Sequence, residues 1–552
     1  MLKLQMTLKR RKQSIITAAA IVMVLAAGIL LFYKHWQFEL PGYPNVDEQL
    51  SLGCIYDLMN QHLYAGDIYV LDFFRYPHLT FYYAVAGVRV LGRLLSGVDT
   101  TILLRYLICG TALVSDVCVY FAVRIMTGSR RWGFASFLLA VFSLYGYSYL
   151  YYTGPDTMIY AVANVILLLG CLIYKDVRED RVVYLWYPLL AVCIGLAMAA
   201  KYHGILFGIF WLALHIRKKY WRSYRDNFLF FLNCIVLALV FCVCNYSLFF
   251  HFKTFIGDNL YNLNHYAWGH PGIEHNLPLL GYVEAYAFTG YGAVGAALLI
   301  LGLVYLIRKK DWQQAAVFLL MPVFLILFLS KYQIVLGRNV SLVLPYAYLF
   351  MAYGLMEAET LLKRCCFDKH KKRQAGCGRI FTAGTVIDIV VVFMILANVI
   401  AVCNHYRYDL TYTRAEAYIT EQIPEGATIY CTSFAPAVDG GCYEVIDIGE
   451  DITQLPDQLG EGEYFIDVQY ATAYFTQKKD YLIRQGGDMY PDLKQAWAAK
   501  LNTGYSVLQR YEGISYGGEW KYRVGYLDFM KYSPTEYYIG PSITIYGKNA
   551  AR

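Results

Sequence analysis

Charge is scarce in this chain. Lys, Arg, Asp and Glu make up 16% of its 552 residues, against 58% hydrophobic ones, and mean hydropathy is positive. Too few polar groups remain to cover a soluble multidomain protein of this length. The sequence also lacks an internal repeat, a low-complexity tract and a Gly-rich phosphate loop. Its 14 cysteines make no disulfide framework, because half of them, Cys109, Cys118, Cys171, Cys193, Cys234, Cys242 and Cys244, sit in apolar runs as small hydrophobes. Cys365, Cys366, His370 and Cys377 share one basic segment but match no zinc pattern, and no two histidines have ligand spacing on a helix. An obligatory metal is therefore not expected. What is left is a polytopic membrane protein.

Apolar stretches run over residues 15–33, 101–123, 132–150, 157–174, 183–200, 203–216, 227–250, 281–307, 314–330, 340–356 and 380–402, eleven candidate spans. The first follows Lys9-Arg-Arg-Lys12 and ends in bulky residues, so it reads as an uncleaved helix and not a signal peptide. Basic clusters fall between alternate pairs: Arg124 to Arg131, Lys175 to Arg181, Arg217 to Arg225, Arg308 to Lys310 and Lys363 to Arg379. The net charge of +7 is thus a topological signal and no sign of a nucleic-acid partner. By the positive-inside rule the basic loops and the N-terminus are cytoplasmic. An odd number of spans then puts residues 404–552 outside, beyond a membrane domain of residues 1–403. Counting Thr80–Leu95 as a span would reverse every later loop, so it is expected as a surface-lying or re-entrant helix within a long first external loop, 34–100. A second external loop, 251–280, carries His251, His265, His270, His275 and Trp268. In the tail, Ala427–Tyr430, Tyr464–Val468 and Ser542–Tyr546 read as strands and Arg414–Ile423 as a helix, a small α/β domain. Cys431 and Cys442 lie in it and are placed to close a loop if the compartment is oxidising.

With that topology, ionisable groups from separate loops collect on the outer face: Asp47, Glu48, Arg75, His78, Asp156, Lys201, His203, Lys331 and Arg338. Single charges at helix ends commonly snorkel, but cations facing two or three carboxylates suit a reaction in which a phosphate leaves and a hydroxyl loses its proton. The tyrosines at 145, 147, 149, 151 and 152 are expected in an interface belt, with stacking on a sugar or prenyl group as the other reading. Asp116 and Asp388 lie within apolar spans, where pairing is expected, Asp116 with Arg124.

An Asp47-Glu48 pair after the first helix, Tyr76-Pro-His-Leu-Thr-Phe-Tyr-Tyr83, Arg105 opening the next helix and Gly154-Pro-Asp156 before the fourth together resemble the GT-C glycosyltransferases. The closer resemblance is to the protein O-mannosyltransferase and aminoarabinose-transferase branch. Lys201-Tyr-His-Gly204, Leu336-Gly-Arg-Asn339 and Gly540-Pro-Ser-Ile-Thr-Ile-Tyr546 fall where that branch has comparable stretches, though Arg338 is followed by Asn339 and not Tyr, and Tyr76 stands where a basic residue is frequent. The resemblance implies a GT-C type membrane domain of about 11 transmembrane helices plus interfacial helices, followed by a small extracytoplasmic α/β domain. It implies an inverting transfer of a sugar from a polyprenyl-phosphate carrier to a hydroxyl or amine of a protein, lipid or envelope polymer at the outer face of the plasma membrane. Asp47 would be the base, Glu48 its support, and Asp156 a positioning carboxylate. Lys201, Arg338 and Arg75 would hold the lipid phosphate, with Tyr76, His78, Arg105, His203 and His265 as substrate contacts. No cofactor is required by that branch; oligosaccharyltransferase-type relatives use a divalent ion. Two other readings have the same spans: a transporter or flippase of a lipid-linked glycan, against which the absence of inverted repeats counts, and a non-catalytic envelope-assembly protein.

Overall fold

The computed structural model describes residues 2–37, 46–61, 70–95, 97–268, 277–332, 334–367, 382–432, 435–449, 454–468, 501, 504–513, 537–538 and 540–548. The membrane part is built from α1 (Leu2–Trp36), α2 (Val46–Asn60), α3 (Leu79–Leu94), α4 (Thr100–Ser115), α5 (Val117–Thr127), α6 (Arg130–Val141), α7 (Leu144–Tyr149), α8 (Pro155–Lys175) and α9 (Glu179–Arg181). It continues with α10 (Tyr187–Ala200), α11 (Phe207–Arg217), α12 (Tyr224–Cys244), α13 (Phe252–Trp268), α14 (Pro278–Phe288), α15 (Gly292–Arg308), α16 (Trp312–Leu329), α17 (Leu344–Leu362) and α18 (Ala383–His405).

Among the described residues, eight helical stretches are long and apolar enough to cross a membrane, and α14 with α15, bent by 86°, makes a ninth. Two of the eleven expected spans are not among these. The stretch 132–150 breaks between α6 and α7, where the Ser143 hydroxyl accepts the Tyr145 N–H at 3.0 Å and so starts a new helix. The stretch 203–216 opens with a 3-10 turn, Tyr202–Leu206, before α11. A backbone carbonyl freed by such a break needs a partner where water is excluded. Asn398 on α18 supplies it twice, donating to Phe142 O at 2.7 Å and to Gly290 O at 3.2 Å, so one side chain ties the α6–α7 break to the α14–α15 bend. Gly290 has φ +76°, and a Cβ there would stand 2.4 Å from the Tyr145 nitrogen.

The described residues of the basic clusters gather at one end of the bundle. There Arg131 pairs with Glu359 and Asp388, Arg308 with Glu357, and Lys218 donates to the Asp176 carbonyl. The expected pairing of Asp116 with Arg124 is not made: Asp116 accepts from Tyr160 Oη at 2.6 Å and Asn164 Nδ2 at 3.2 Å, while Arg124 lies over the Tyr120 ring. Tyr160 and Asn164 reach Asp116 from the neighbouring helix α8, whereas Arg124 lies about two turns along its own helix.

Both long loops contain helices. Within 34–100 lie α2 and α3, the latter burying Phe81, Ala84, Val85 and Val88. The segment 251–280, read as a loop because of its Asn and His content, holds α13; His270 and His275 lie outside the described residues, as do His370 and Cys377.

After α18 come α19 (Thr411–Gln422) and strands β1 (Thr428–Thr432), β2 (Glu444–Gly449), β3 (Glu463–Val468), β4 (Tyr505–Gly513), β5 (Tyr537–Tyr538) and β6 (Ile543–Lys548). They form a sheet in the order β2-β1-β3-β6-β4-β5, with β1 parallel to β2 and β3, and β6 antiparallel to β3 and β4. Ile419 of α19 packs on Ile429, Ile466 and Ile545. Cys431 and Cys442 are both free thiols, the first buried and the second donating to Asp439 Oδ2 at 3.5 Å.

Candidate active site

The end of the bundle opposite the basic clusters carries a chain of alternating charges. Asp47, in the first turn of α2, accepts from Tyr76 Oη at 2.8 Å on one oxygen and faces Arg338 Nη2 at 2.6 Å on the other. Arg338 opens the 3-10 turn Gly337–Val343 that leads into α17, and its Nε lies 3.9 Å from Asp156 Oδ2. Asp156 sits in the first turn of α8 behind Pro155, a position the helix dipole favours for an acid. Its other oxygen accepts from Lys201 Nζ at 2.6 Å. Lys201 ends α10 in extended backbone and donates also to Asn339 Oδ1 at 2.8 Å. Two carboxylates and two cations thus alternate across residues from four separate parts of the chain.

The chain is graded in depth. The side chains of Asp47 and Arg338 are 23% and 19% exposed, those of Asp156 and Lys201 6% and 11%. A ligand approaching from solvent therefore meets Asp47 and Arg338 first.

Glu48, next to Asp47, turns the other way. It is fully buried, as is Arg105, which grips both of its oxygens, Nε to Oε1 at 2.8 Å and Nη2 to Oε2. The Thr153 N–H donates to the same carboxylate at 2.7 Å, and Arg105 Nη1 donates to Trp36 O at 3.3 Å. The fork matches a carboxylate, so each charge is saturated by the other. Glu48 and Arg105, expected respectively at the chemistry and on a substrate, are instead a sealed clamp joining α1, α2, α4 and the turn before α8. Consecutive helical residues point about 100° apart, so one faces the site and the other the core.

The remaining expected contacts divide similarly. Tyr76 touches Asp47, and burial together with that carboxylate raises its phenol well above the usual value, keeping it a donor. His78 is fully buried, its Nε2 2.7 Å from Phe73 O, and burial lowers it to about 4. It shapes the turn that presents Tyr76 and does not reach the charged chain. Arg75 is held outside by α13: its guanidinium lies 4.2 Å over Tyr261, and Asp258 approaches its Nε at 3.9 Å. His265, also on α13, stacks on Tyr261 at 5.8 Å and is lowered by burial, with Asp47 acting in the opposite sense. His203, half-buried in the turn after Lys201, is lowered to about 3 by burial and then by Lys201. It rests edge-on against Phe328.

Three residues at the site had no assigned role from sequence. Asn339 is 2% exposed and donates through Nδ2 to Tyr266 Oη at 3.1 Å and Tyr282 Oη at 3.4 Å while accepting from Lys201. In the sequence it stood out only as a departure from the family pattern. Tyr266 and Tyr282 had no signal among 53 tyrosines. The tyrosine run at 145–152 is neither belt nor open stacking surface: Tyr145, Tyr147, Tyr151 and Tyr152 are each 2–3% exposed. Tyr145 Oη donates to Gly337 O at 2.7 Å, and Tyr152 Oη approaches Asp156 Oδ2 at 3.5 Å. Tyr149 Oη would stand 2.5 Å from a Cβ at Gly337, which explains why Arg338 follows a glycine. Tyr145, Tyr149 and Tyr152 thus back Asp156 and the turn that carries Arg338, while Tyr147 and Tyr151 pack on His35.

Among the described residues no three His, Cys, Asp or Glu side chains converge as metal ligands. The donor set argues the same way, since the Arg338 guanidinium lies between Asp47 and Asp156, where a divalent ion bridging them would have to sit.

No curated protein sequence matches the chain. Among solved structures it is similar to ArnT from Cupriavidus metallidurans in the apo state, at TM-score 0.49 and 13% identity over 70% of this chain and 71% of that chain. It is similar also to the same protein bound to undecaprenyl phosphate, at 0.45 and 13% over 70% and 71%. A third is the archaeal oligosaccharyltransferase AglB from Archaeoglobus fulgidus, in complex with an inhibitory peptide and a dolichol-phosphate, at 0.46 and 11% over 88% and 69%. Likenesses of this size assign no activity. Residues 83–247 match the family model described as dolichyl-phosphate-mannose-protein mannosyltransferase. That segment contains Asp156 and Lys201 but neither Asp47 nor Arg338. The resemblance to the protein O-mannosyltransferase branch drawn from the motifs is borne out by this family match over residues 83–247, the segment that carries the deep half of the charged chain.

Proposed function

We propose that this protein is an inverting glycosyltransferase that moves a sugar from a polyprenyl-phosphate carrier to an acceptor hydroxyl or amine at the outer face of the plasma membrane, with its N-terminus cytoplasmic and the sheet domain outside. The observation that carries the reading is the Asp47–Arg338–Asp156–Lys201 chain at the end of the bundle away from the basic clusters. Arg338 and Lys201 are the cations for the carrier's phosphate, Arg338 nearer solvent and Lys201 behind it. Asp47 is the base that takes the acceptor's proton as the bond between the anomeric carbon and the phosphate oxygen breaks. The departing phosphate is already a good leaving group, so one carboxylate suffices where a glycosidase needs two. Asp156 and Asn339 orient Lys201. No step calls on a metal, and the acceptor is a protein, lipid or envelope polymer.

The test is to offer the purified protein in lipid a panel of polyprenyl-phosphate sugars and to measure free polyprenyl phosphate. Release by the wild type and its loss in Asp47→Asn support the reading. A transporter would bind and move the carrier without releasing it, and no release from any donor sinks the enzyme.

A further inference from the structure

Helix α13 has three faces. With 3.6 residues per turn, Phe255, Asp258, Asn262 and Tyr266 look inward to the site, while Phe252, Ile256, Leu260 and Leu263 fall within about a quarter of the circumference on one flank. These four are 59%, 43%, 55% and 54% exposed. The rest of the exposed arc is Lys253, Gly257 and Asn264. A helix immersed in hydrocarbon would not turn Lys253 and Asn264 outward. One surrounded by water would not gather four large apolar side chains on a single stripe.

The stripe is continuous with a surface that faces lipid. Helix α12 is a candidate membrane span whose Phe231, Ile235, Leu239 and Val243 are exposed, and Phe249 and Phe250, exposed too, carry that surface up to Phe252. We propose that α13 lies along the membrane surface at the mouth of the site, with Phe252, Ile256, Leu260 and Leu263 seated among phospholipid acyl chains and Lys253 at headgroup level. The bilayer is then a wall of the site, because the inward face grips both sides of it. Asp258 accepts the Phe74 N–H at 2.6 Å and Asn262 donates to Arg75 O at 2.9 Å, fixing the turn that presents Tyr76. Tyr266 accepts from Asn339, the partner of Lys201.

The test places the photoreactive residue benzoylphenylalanine at position 260, 263 or 264 of the full chain, in vesicles of phosphatidylethanolamine and phosphatidylglycerol. After irradiation the adducts are read by mass spectrometry. Phospholipid adducts at 260 and 263, lost at 264, are the expected result. Equal labelling at all three positions, or none at 260 and 263, overturns the proposal. Crosslinked dimers at 260 assign the stripe to a second copy and overturn it also. As a second measurement, Leu260→Glu/Leu263→Glu is expected to raise protease access to α13 in vesicles; unchanged access counts against a lipid seat. Adducts form whether or not the protein turns over a donor, so failure of the transferase reading would be seen separately.

Discussion

Two charged networks share one short helix. Glu48 and Arg105 are shut away from solvent and satisfied by each other and by backbone, whereas Asp47, Arg338, Asp156 and Lys201 form a line that opens to solvent at one end. Burying an ion pair is costly, and such a pair seldom adds net stability over an apolar replacement. Its use here is geometric: with Thr153 and Trp36 it sets where α2 sits against α4 and α8, and so where Asp47 points. The open line is available to a ligand at its exposed end, where Asp47 and Arg338 lie. One network fixes positions and the other exchanges partners.

The sharpest break between them is functional. Asp47→Asn is expected to lower turnover by about 10²–10⁴-fold, the usual worth of a positioned base, with the thermal midpoint unchanged. Turnover within tenfold of wild type, on the order of the smallest meaningful loss, would remove the distinction. In the closed network, Arg105→Met strands a buried carboxylate and is expected to cost about 3–5 kcal/mol of stability, read from thermal unfolding in detergent. Glu48→Gln added to it should recover part of that loss, because the stranded charge is gone. Lys201→Met is expected to lower turnover about 10²–10³-fold, as for loss of one donor to a developing oxyanion, with donor binding measured separately to show whether the phosphate is still held by Arg338. Asn339→Ala removes a hydrogen bond to a charged group, on the order of 1.5 kcal/mol or about tenfold in kcat/KM; an unchanged value would detach α13 from the cations. The last expected effect is on pH. His78, at about 4 when folded, binds its proton near 6.5 when unfolded. Stability is therefore full above about 6.5 and lost as the pH falls toward 4, since only the unfolded state takes up the proton in that window. His78→Gln should flatten that limb of the midpoint-against-pH curve.

Asp47, Asp156, Lys201 and Arg338 were legible in the sequence because charge is rare in it and because the order of apolar stretches and basic loops sorts the few charges by membrane side. Among the described strands of the tail, β1, β3 and β6 were legible from their β-branched runs, whereas β2, β4 and β5 were not read. Glu48 was not, because α2 has weak amphipathicity and hides in a segment read as loop, so nothing indicates which of two neighbouring acids faces inward. α13 was missed for a related reason: Asn259, Asn262 and His265 look like loop residues until the inward face they share with Asp258 is seen to be polar. The broken span at Ser143 was not foreseen because the side chain that satisfies the carbonyl it frees, Asn398, is distant in sequence.

The Arg338 bridge between two carboxylates has a last consequence. At rest the line of charges is neutral as a whole, two acids against two bases, and the guanidinium is already occupied. On the proposed reaction an arriving phosphate must displace Asp47 from Arg338, and in doing so it strips the base of its counter-ion. The site then behaves as an ion exchanger whose loading step is also its activation: without carrier, Asp47 is held as a counter-ion, and after transfer the same carboxylate competes for the guanidinium and helps the spent phosphate leave.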